Sequence, residues 1–508
     1  MQRGGLLKII VYSEVNADNA STSLGKPDYS YYFVLKDYLP ALKKMGEVII
    51  AKSIEDIDKI YSANGEKDCV FLSFTPPQKT PQNLNCPTFP VFAWEFSTIP
   101  NEHWLDDPNQ NWAEVLKHFG QAITHSELTV SAVKQASGND MLIESIPAPV
   151  WDRCQGLYEQ VKSRALDAVQ QIDIKKAIVF DTNNPEHRQC IPNHDEIKHA
   201  VSVARSPDKQ PKPTKKEIRS KFIDEWRENV LKPFSPFLYR ATSSNEHLSK
   251  RFSSGSGNIR VKNIVEPTSV EGSDFFDSPV LTPGDHQVEL SGVIFTSLFN
   301  PYDGRKNWGD MMMGFIAAFK DNPDATLVFK LAHHKYKAAF NDMLMCMALM
   351  GDFKCRVVII HGYLSADSYQ KLMTSTHYIV NASYGEGQCL PLMESLSAGI
   401  PAIAPRHSAM VDYINEDIAF IVDSWEDATA WSHDPRLAYR TLRHQIHWES
   451  LVDAYKKAYR RVKESPMLYR HMQEAANQRM KNHCSEAVAI TKMQSLFSRM
   501  KEASSESQ

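Results

Sequence analysis

Two stretches of the chain alternate short apolar runs, rich in β-branched residues, with longer segments of helical spacing. This rhythm constrains the fold more than any other feature. In residues 1–150, strands are predicted at Leu6–Tyr12, Glu47–Ala51, Val70–Ser73, Phe89–Trp94 and Gln121–Thr124. A helix over Tyr31–Met45 stops at Gly46, and Ser126 is placed to cap another. The alternation restarts at Val288. Strands are predicted at Gly292–Leu298, Thr326–Leu331, Cys355–Ile360, His377–Asn381, Ile400–Ala404 and Ala419–Val422, with a helix at Trp308–Phe319 among those between them. Apolar strands separated by helices make a parallel sheet covered on both faces. Two such stretches make two α/β domains with a cleft between them.

The segment 151–287 reads differently. Helices are predicted at Gln155–Gln171 and Lys215–Leu231, with one strand at Ala177–Phe180. A Lys/Pro-rich stretch, Ser206–Lys216, and a Ser/Gly-rich stretch, Thr242–Gly257, mark it as an accessory or inserted region with flexible loops. From about Pro435 to Met500 the chain reads as mostly helical and highly charged. The resulting divisions are 1–150, 151–287, 288–450 and a tail, 451–508.

The chain has 508 residues and a formal net charge of −4. That balance argues against a generic nucleic-acid coat, which needs a basic surplus. No run approaches the roughly 18 apolar residues of a membrane span. The early apolar run is broken by Lys8 and lacks a cleavage site, so a cytoplasmic protein is expected. Eight scattered cysteines, none in a C-x-x-C pair, suit reduced core residues.

The most informative stretch is Asn381-Ala-Ser-Tyr-Gly-Glu-Gly-Gln-Cys-Leu-Pro-Leu-Met-Glu-Ser-Leu-Ser-Ala-Gly399. It reads as a strand end, a glycine-flanked loop and a helix opened by Pro391 and stopped by Gly399. The N–H groups and dipole of such a helix start favour an anion, above all a phosphate. Glu386 lies in the loop and Glu394 about one turn into the helix, where carboxylates can accept hydrogen bonds from sugar hydroxyls. A surface loop with a buried capping carboxylate would use the same residues.

With Ile400-Pro401-Ala-Ile-Ala-Pro405, Ser408, Asp412 and Ile421-Val-Asp423 following it, this stretch resembles the donor-site signature of retaining GT-B glycosyltransferases, most of all family 4. The likeness covers roughly residues 288–460 and, less clearly, 1–150. It implies two Rossmann-like domains facing across a cleft, with an accessory region and a helical tail packing back toward the N-terminal domain. It implies that Glu386 contacts the donor sugar and Glu394 the ribose, with the loop at Gly387, Gln388, Cys389 and Leu390 cradling the diphosphate. The family often has an aromatic and a glycine where this chain has Gln388 and Cys389. Basic residues expected at the loop Phe299–Trp308 and at the end of the next strand are Arg305, Lys306 and Lys330. Fixed cations there would stabilise the charge of a departing diphosphate. The family's first loop over the cleft points to Gly25, within Ser23–Pro27. On the acceptor side Glu95 is the candidate catalytic residue, with His103 and His125 as alternatives to a family histidine.

The resemblance implies transfer of a sugar from a nucleotide-diphosphate sugar to an acceptor hydroxyl with retention of configuration and no obligatory metal. Glycan or surface polysaccharide synthesis is the expected setting. The acceptor would be a glycan or a lipid-linked one, which leaves peripheral contact with the inner face of a membrane open. The alternative from another class is a non-catalytic glycosyltransferase-like subunit that binds a nucleotide or glycan for a partner. Asp56-Ile-Asp58 falls in a charged helical stretch, and His333-His334 and His187, His194 and His199 lack the spacing of a tetrahedral metal set.

Overall fold

The computed structural model describes residues 7–16, 29–64, 68–104, 106–193, 195–198, 281–432 and 434–506. Gly25, His194, His199, the helix expected at Lys215–Leu231 and both composition-biased stretches of the accessory region lie outside the described residues.

The first domain is built on six strands: β1 (Lys8–Tyr12), β2 (Glu47–Ile50), β3 (Cys69–Ser73), β4 (Thr88–Phe92), β5 (Gln121–Thr124) and β6 (Leu142–Ser145). They form one parallel sheet in the order β2-β1-β3-β4-β5-β6. Ile9, Ile10 and Val11 of β1 and Val70, Phe71 and Leu72 of β3 are all buried. These strands therefore read as continuous apolar runs, as a doubly covered parallel sheet requires. Ser126 caps the helix Glu127–Ser137 by accepting from Thr129 N at 3.2 Å.

The second sheet holds eight strands: β7 (Gln170–Asp181), β8 (Gly284–Leu290), β9 (Val293–Phe299), β10 (Ala325–Leu331), β11 (Arg356–His361), β12 (Tyr378–Val380), β13 (Ala402–Pro405) and β14 (Ala419–Val422). Their order is β14-β13-β12-β9-β10-β11-β7-β8. The six strands from β9 to β14 run parallel, while β7 lies antiparallel to β11 and β8 antiparallel to β7. Winding goes one way from β9 to β11 and the other way from β12 to β14. The switch between β9 and β12 is the crevice where doubly wound sheets bind ligands.

Two expectations need correction. The helix that begins at Gln155 ends at Ser163, not Gln171. Arg164 leaves it in an extended conformation, its guanidinium drawn to Thr374 O at 2.5 Å and His377 at 2.9 Å in the second domain. The strand β7 then starts at Gln170, well before Ala177, because Ile172 and Ile174 turn inward between exposed Gln171 and Asp173 and Lys175. The second correction concerns the stretch after Pro435. Before the helices Trp448–Glu464, Pro466–Cys484 and Glu486–Glu506 comes a hairpin of β15 (Ser424–Ala430) and β16 (Tyr439–Ile446). Strand β16 alternates buried Thr441 and Arg443 with exposed neighbours, a period of two that its high charge conceals.

The molecule is the two-domain α/β architecture anticipated from the sequence, with a helical C-terminal region. The domains share an apolar cluster. Leu392, Met393 and Met410 of the second domain pack with Val34, Leu35 and Leu72 of the first. The last helix lies against the first domain, where Arg499 pairs with Glu144 at 2.6 Å and Lys492 donates to Ser145 O at 2.8 Å. The hairpin makes the other junction. Trp431 is 1% exposed, stacks on Trp104 and donates to Thr98 O at 3.2 Å. Arg436 and Arg440 both pair with Glu102, at 2.7 and 3.0 Å.

Candidate functional site

The crevice between β9 and β12 is lined by Ser297, Asn381, Ser383, Lys306 and the start of the helix Leu390–Ser397. The chain enters it from β12 through the loop 381–389, which abuts the carboxyl end of β4 in the first domain. A Cβ at residue 387 would fall 3.0 Å from Ala93 Cβ and Trp94 N, so a larger residue would have to push the loop and the end of β4 apart. Cys389 takes φ +65° immediately before the helix. Gly399, at φ +71°, follows the helix end.

Glu386 is 2% exposed, and its carboxylate is the hub of the crevice. Oε1 accepts from Lys306 Nζ at 2.6 Å, from Ser383 Oγ at 2.6 Å and from Asn381 Nδ2 at 3.3 Å. Oε2 accepts from Arg305 Nη1 at 2.8 Å. Burial works against its charge, but Lys306 and Arg305 more than offset this and hold it well below the usual carboxylate range. Its backbone is clamped as well: Glu386 N donates to Ser408 Oγ at 3.0 Å, and Glu386 O accepts from Ala409 N at 3.1 Å.

Arg305 spans the cleft. Its Nη1 also donates to Gly385 O at 2.8 Å, and its Nε lies 3.1 Å from Asp303 and 3.6 Å from Glu95 of the first domain. Burial raises the pKa of Glu95, with Arg305 opposing. Counted as ionised, Glu95, Asp303 and Glu386 against Arg305 and Lys306 give three negative charges to two positive. Lys330, on β10, donates to Leu331 O at 2.7 Å, and burial brings it down to about 8. No hydrogen bond or ion pair joins Lys330 to the Glu386 cluster among the described residues.

Glu394 stands apart from Glu386. Its Oε1 accepts from Arg153 Nη2 at 2.5 Å and its Oε2 from Tyr369 OH at 2.8 Å. Gln388 faces back to the domain connection, accepting from Ala148 N at 2.6 Å through its side chain and from Tyr413 OH at 2.9 Å through its carbonyl. Among the described residues, none accepts from the N–H of Gln388, Cys389 or Leu390. The crevice thus presents two cations, a helix start with open donors and two carboxylates: the elements for holding a diphosphate and hydroxyl groups together.

No family model matches the chain, and no curated protein matches it. Solved structures of similar shape exist. A glycosyltransferase from Rickettsia africae ESF-5 aligns over 97% of this chain and 98% of its own, at 11% identity and a TM-score of 0.49. Anabaena Alr3699/HepE, in complex with UDP and glucose, aligns over 97% of this chain and 99% of its own, at 9% identity and a TM-score of 0.47. The C-terminal domain of a glycosyl transferase group 1 family protein (LpcC) from Francisella tularensis covers 38% of this chain and 87% of its own, at 15% identity and a TM-score of 0.29.

The structure brings Glu386, Arg305, Lys306 and Glu95 together, with Gly387 and Cys389 beside them, and puts Glu394 in the helix Leu390–Ser397 that follows the loop. His103 is on the surface, 3.1 Å from Glu114. His125 is buried at the end of β5, its Nδ1 2.9 Å from Ile146 O, and burial lowers it to about 4. Among the described residues no group of three or more His, Cys, Asp or Glu side chains could hold a metal ion. No helix there is long and apolar enough to cross a membrane. Sequence reasoning missed Asp303, Ser383, Arg153, Asp37 and Tyr369. Asp303 and Ser383 lie inside motif segments already singled out. Arg153 lies 241 positions from Glu394, and no local pattern could have joined them.

Proposed function

We propose that this protein is a glycosyltransferase that moves a sugar from a nucleotide-diphosphate sugar to an acceptor hydroxyl with retention of configuration, in glycan or surface polysaccharide synthesis. The observation that carries the reading is the pairing of Arg305 and Lys306 on buried Glu386 at the switch point of the second sheet. Without donor, Glu386 supplies the negative charge that the two cations need. With donor, the diphosphate takes over the cations and the N–H groups of residues 388–390, which frees the Glu386 carboxylate for sugar hydroxyls. Glu394 accepts from the ribose.

Transfer then follows from this arrangement. The acceptor oxygen forms a bond to the anomeric carbon from the leaving-group face as the bond from that carbon to the phosphate oxygen breaks. The acceptor proton passes to the departing diphosphate. Arg305 and Lys306, with Lys330 near the strand end, stabilise the growing negative charge in place of a metal ion. Glu95, across the cleft, faces the acceptor, a glycan or lipid-linked chain. The reaction takes place in the cytoplasm, at the inner membrane face where the acceptor is lipid-linked.

The test is release of nucleoside diphosphate from a panel of nucleotide sugars, including the slow hydrolysis that occurs without acceptor. One donor should turn over, and Glu386→Gln, folded by circular dichroism, should lose about 100-fold, the scale for misplacing the reacting group. A second reading has its own observation: the Glu386 carboxylate is already bonded to Arg305, Lys306, Ser383 and Asn381, and the loop abuts the first domain. Binding of a donor with no release of its nucleotide would make the chain a non-catalytic subunit.

A further inference from the structure

Arg153 belongs to no motif, yet it contacts the site. It lies in the short turn Asp152–Cys154, on the connection that carries the chain from β6 in the first sheet to β7 in the second. Its Nη2 donates to Glu394 Oε1 at 2.5 Å. The same guanidinium holds Asp37, through Nε at 2.7 Å and Nη2 at 3.3 Å. Asp37 is a buried residue of the helix Tyr29–Met45 in the first domain. The second oxygen of Glu394 is held by Tyr369, from the helix Ala366–Ser375.

This is more than an ion pair between domains. A glutamate side chain on a helix samples several rotamers, and hydroxyl recognition needs one of them. Arg153 fixes one oxygen and Tyr369 the other. A carboxylate has about four acceptor positions, so two bonds still leave room for the two vicinal hydroxyls of a ribose. The planar guanidinium suits the task, because it can hold two carboxylates at fixed angles, which a lysine cannot. Asp37 supplies the anchor. Because Asp37 belongs to the first domain and Glu394 to the second, Arg153 reaches both only with the domains placed as they are here.

We propose that Arg153 is a positioning residue for ribose recognition: anchored on Asp37 and acting with Tyr369, it holds Glu394 ready for the 2′- and 3′-hydroxyls of the donor nucleotide when the cleft is closed. This rests on the donor-site reading above. Arg153 itself touches Glu394, not the nucleotide.

The test is the ratio of affinities for a nucleoside diphosphate and its 2′,3′-dideoxy counterpart. UDP, GDP, ADP and CDP serve as probes, and the tightest binder is carried forward. The full-length protein should prefer the ribose form at least tenfold. Arg153→Met and Tyr369→Phe should keep the affinity for the dideoxy form and lose the preference, and Arg153→Lys should recover part of it. If Arg153→Met keeps the preference, or weakens both forms equally, the positioning role is overturned. If the unmodified protein binds the diphosphate with no preference for ribose, the role falls while the donor site stands. If it binds none of the four, the donor site fails and takes this role with it.

Discussion

At Glu386 the chain buries a carboxylate and sets two cations on it, at 2.6 and 2.8 Å. Removing one cation leaves Glu386 paired with the other, so the cost should stay below about 3–5 kcal/mol, that of a buried charge left unpaired. Lys330, proposed above to act on the diphosphate, carries its own pH signature. Burial sets it at about 8, against about 10.4 in an unfolded chain. Between those values the unfolded chain binds more protons than the folded one, so Lys330 makes stability rise with pH across that window. Anion binding runs the other way, because only the charged amine attracts a diphosphate. Nucleoside diphosphate affinity should fall several-fold as pH climbs through about 8 and lose that dependence in Lys330→Met, as titrations at pH 7 and pH 9 would show. A pH-independent affinity would remove Lys330 from the site. Single residues were legible where the motif is local: Glu386, Gly387 and Glu394 are all within nine positions. Arg153 and Asp37 were not, since a contact between chain segments 116 residues apart leaves no trace in either segment.

Among elements, the parallel strands were the most legible, because burial on both faces writes them as unbroken apolar runs. Elements half in contact with water were harder. The hairpin of β15 and β16 carries Glu426, Asp427, Arg440 and Arg443 and imitates a solvated helix by composition. It is also the element that clasps the first domain. Trp431 packs in a cluster with Trp94, Trp104 and Trp112, on the first domain's side of the cleft. Trp431→Ala should cost about 3–5 kcal/mol, the range for truncating a buried large aromatic. Because the lost contact lies between domains, calorimetry should also show the single unfolding transition broadening or splitting. An unchanged, single transition would mean that the hairpin does not couple the domains.

For the whole molecule, two sheets meet with their carboxyl edges toward each other, and the connection bearing Arg153, the last helix and the hairpin all help to join them. The alternation of strands and helices made the two sheets legible. Their relative placement was not, because it rests on contacts such as Gly387 against Trp94 and Arg305 against Glu95, which only folding brings together. That placement buries the Glu386 carboxylate and leaves Arg305 and Lys306 only partly exposed, so their charges interact more strongly than on an open surface. The central claim is that these cations receive the diphosphate of a nucleotide. Calorimetric titration of the unmodified protein with UDP, GDP, ADP and CDP, repeated on Lys306→Met, tests it most directly. One nucleotide should bind at a single site, and loss of a charge-assisted hydrogen bond should weaken it about tenfold or more, given about 1.5–3 kcal/mol for such a bond. Absence of binding by the folded protein, or equal binding by the variant, would contradict the account.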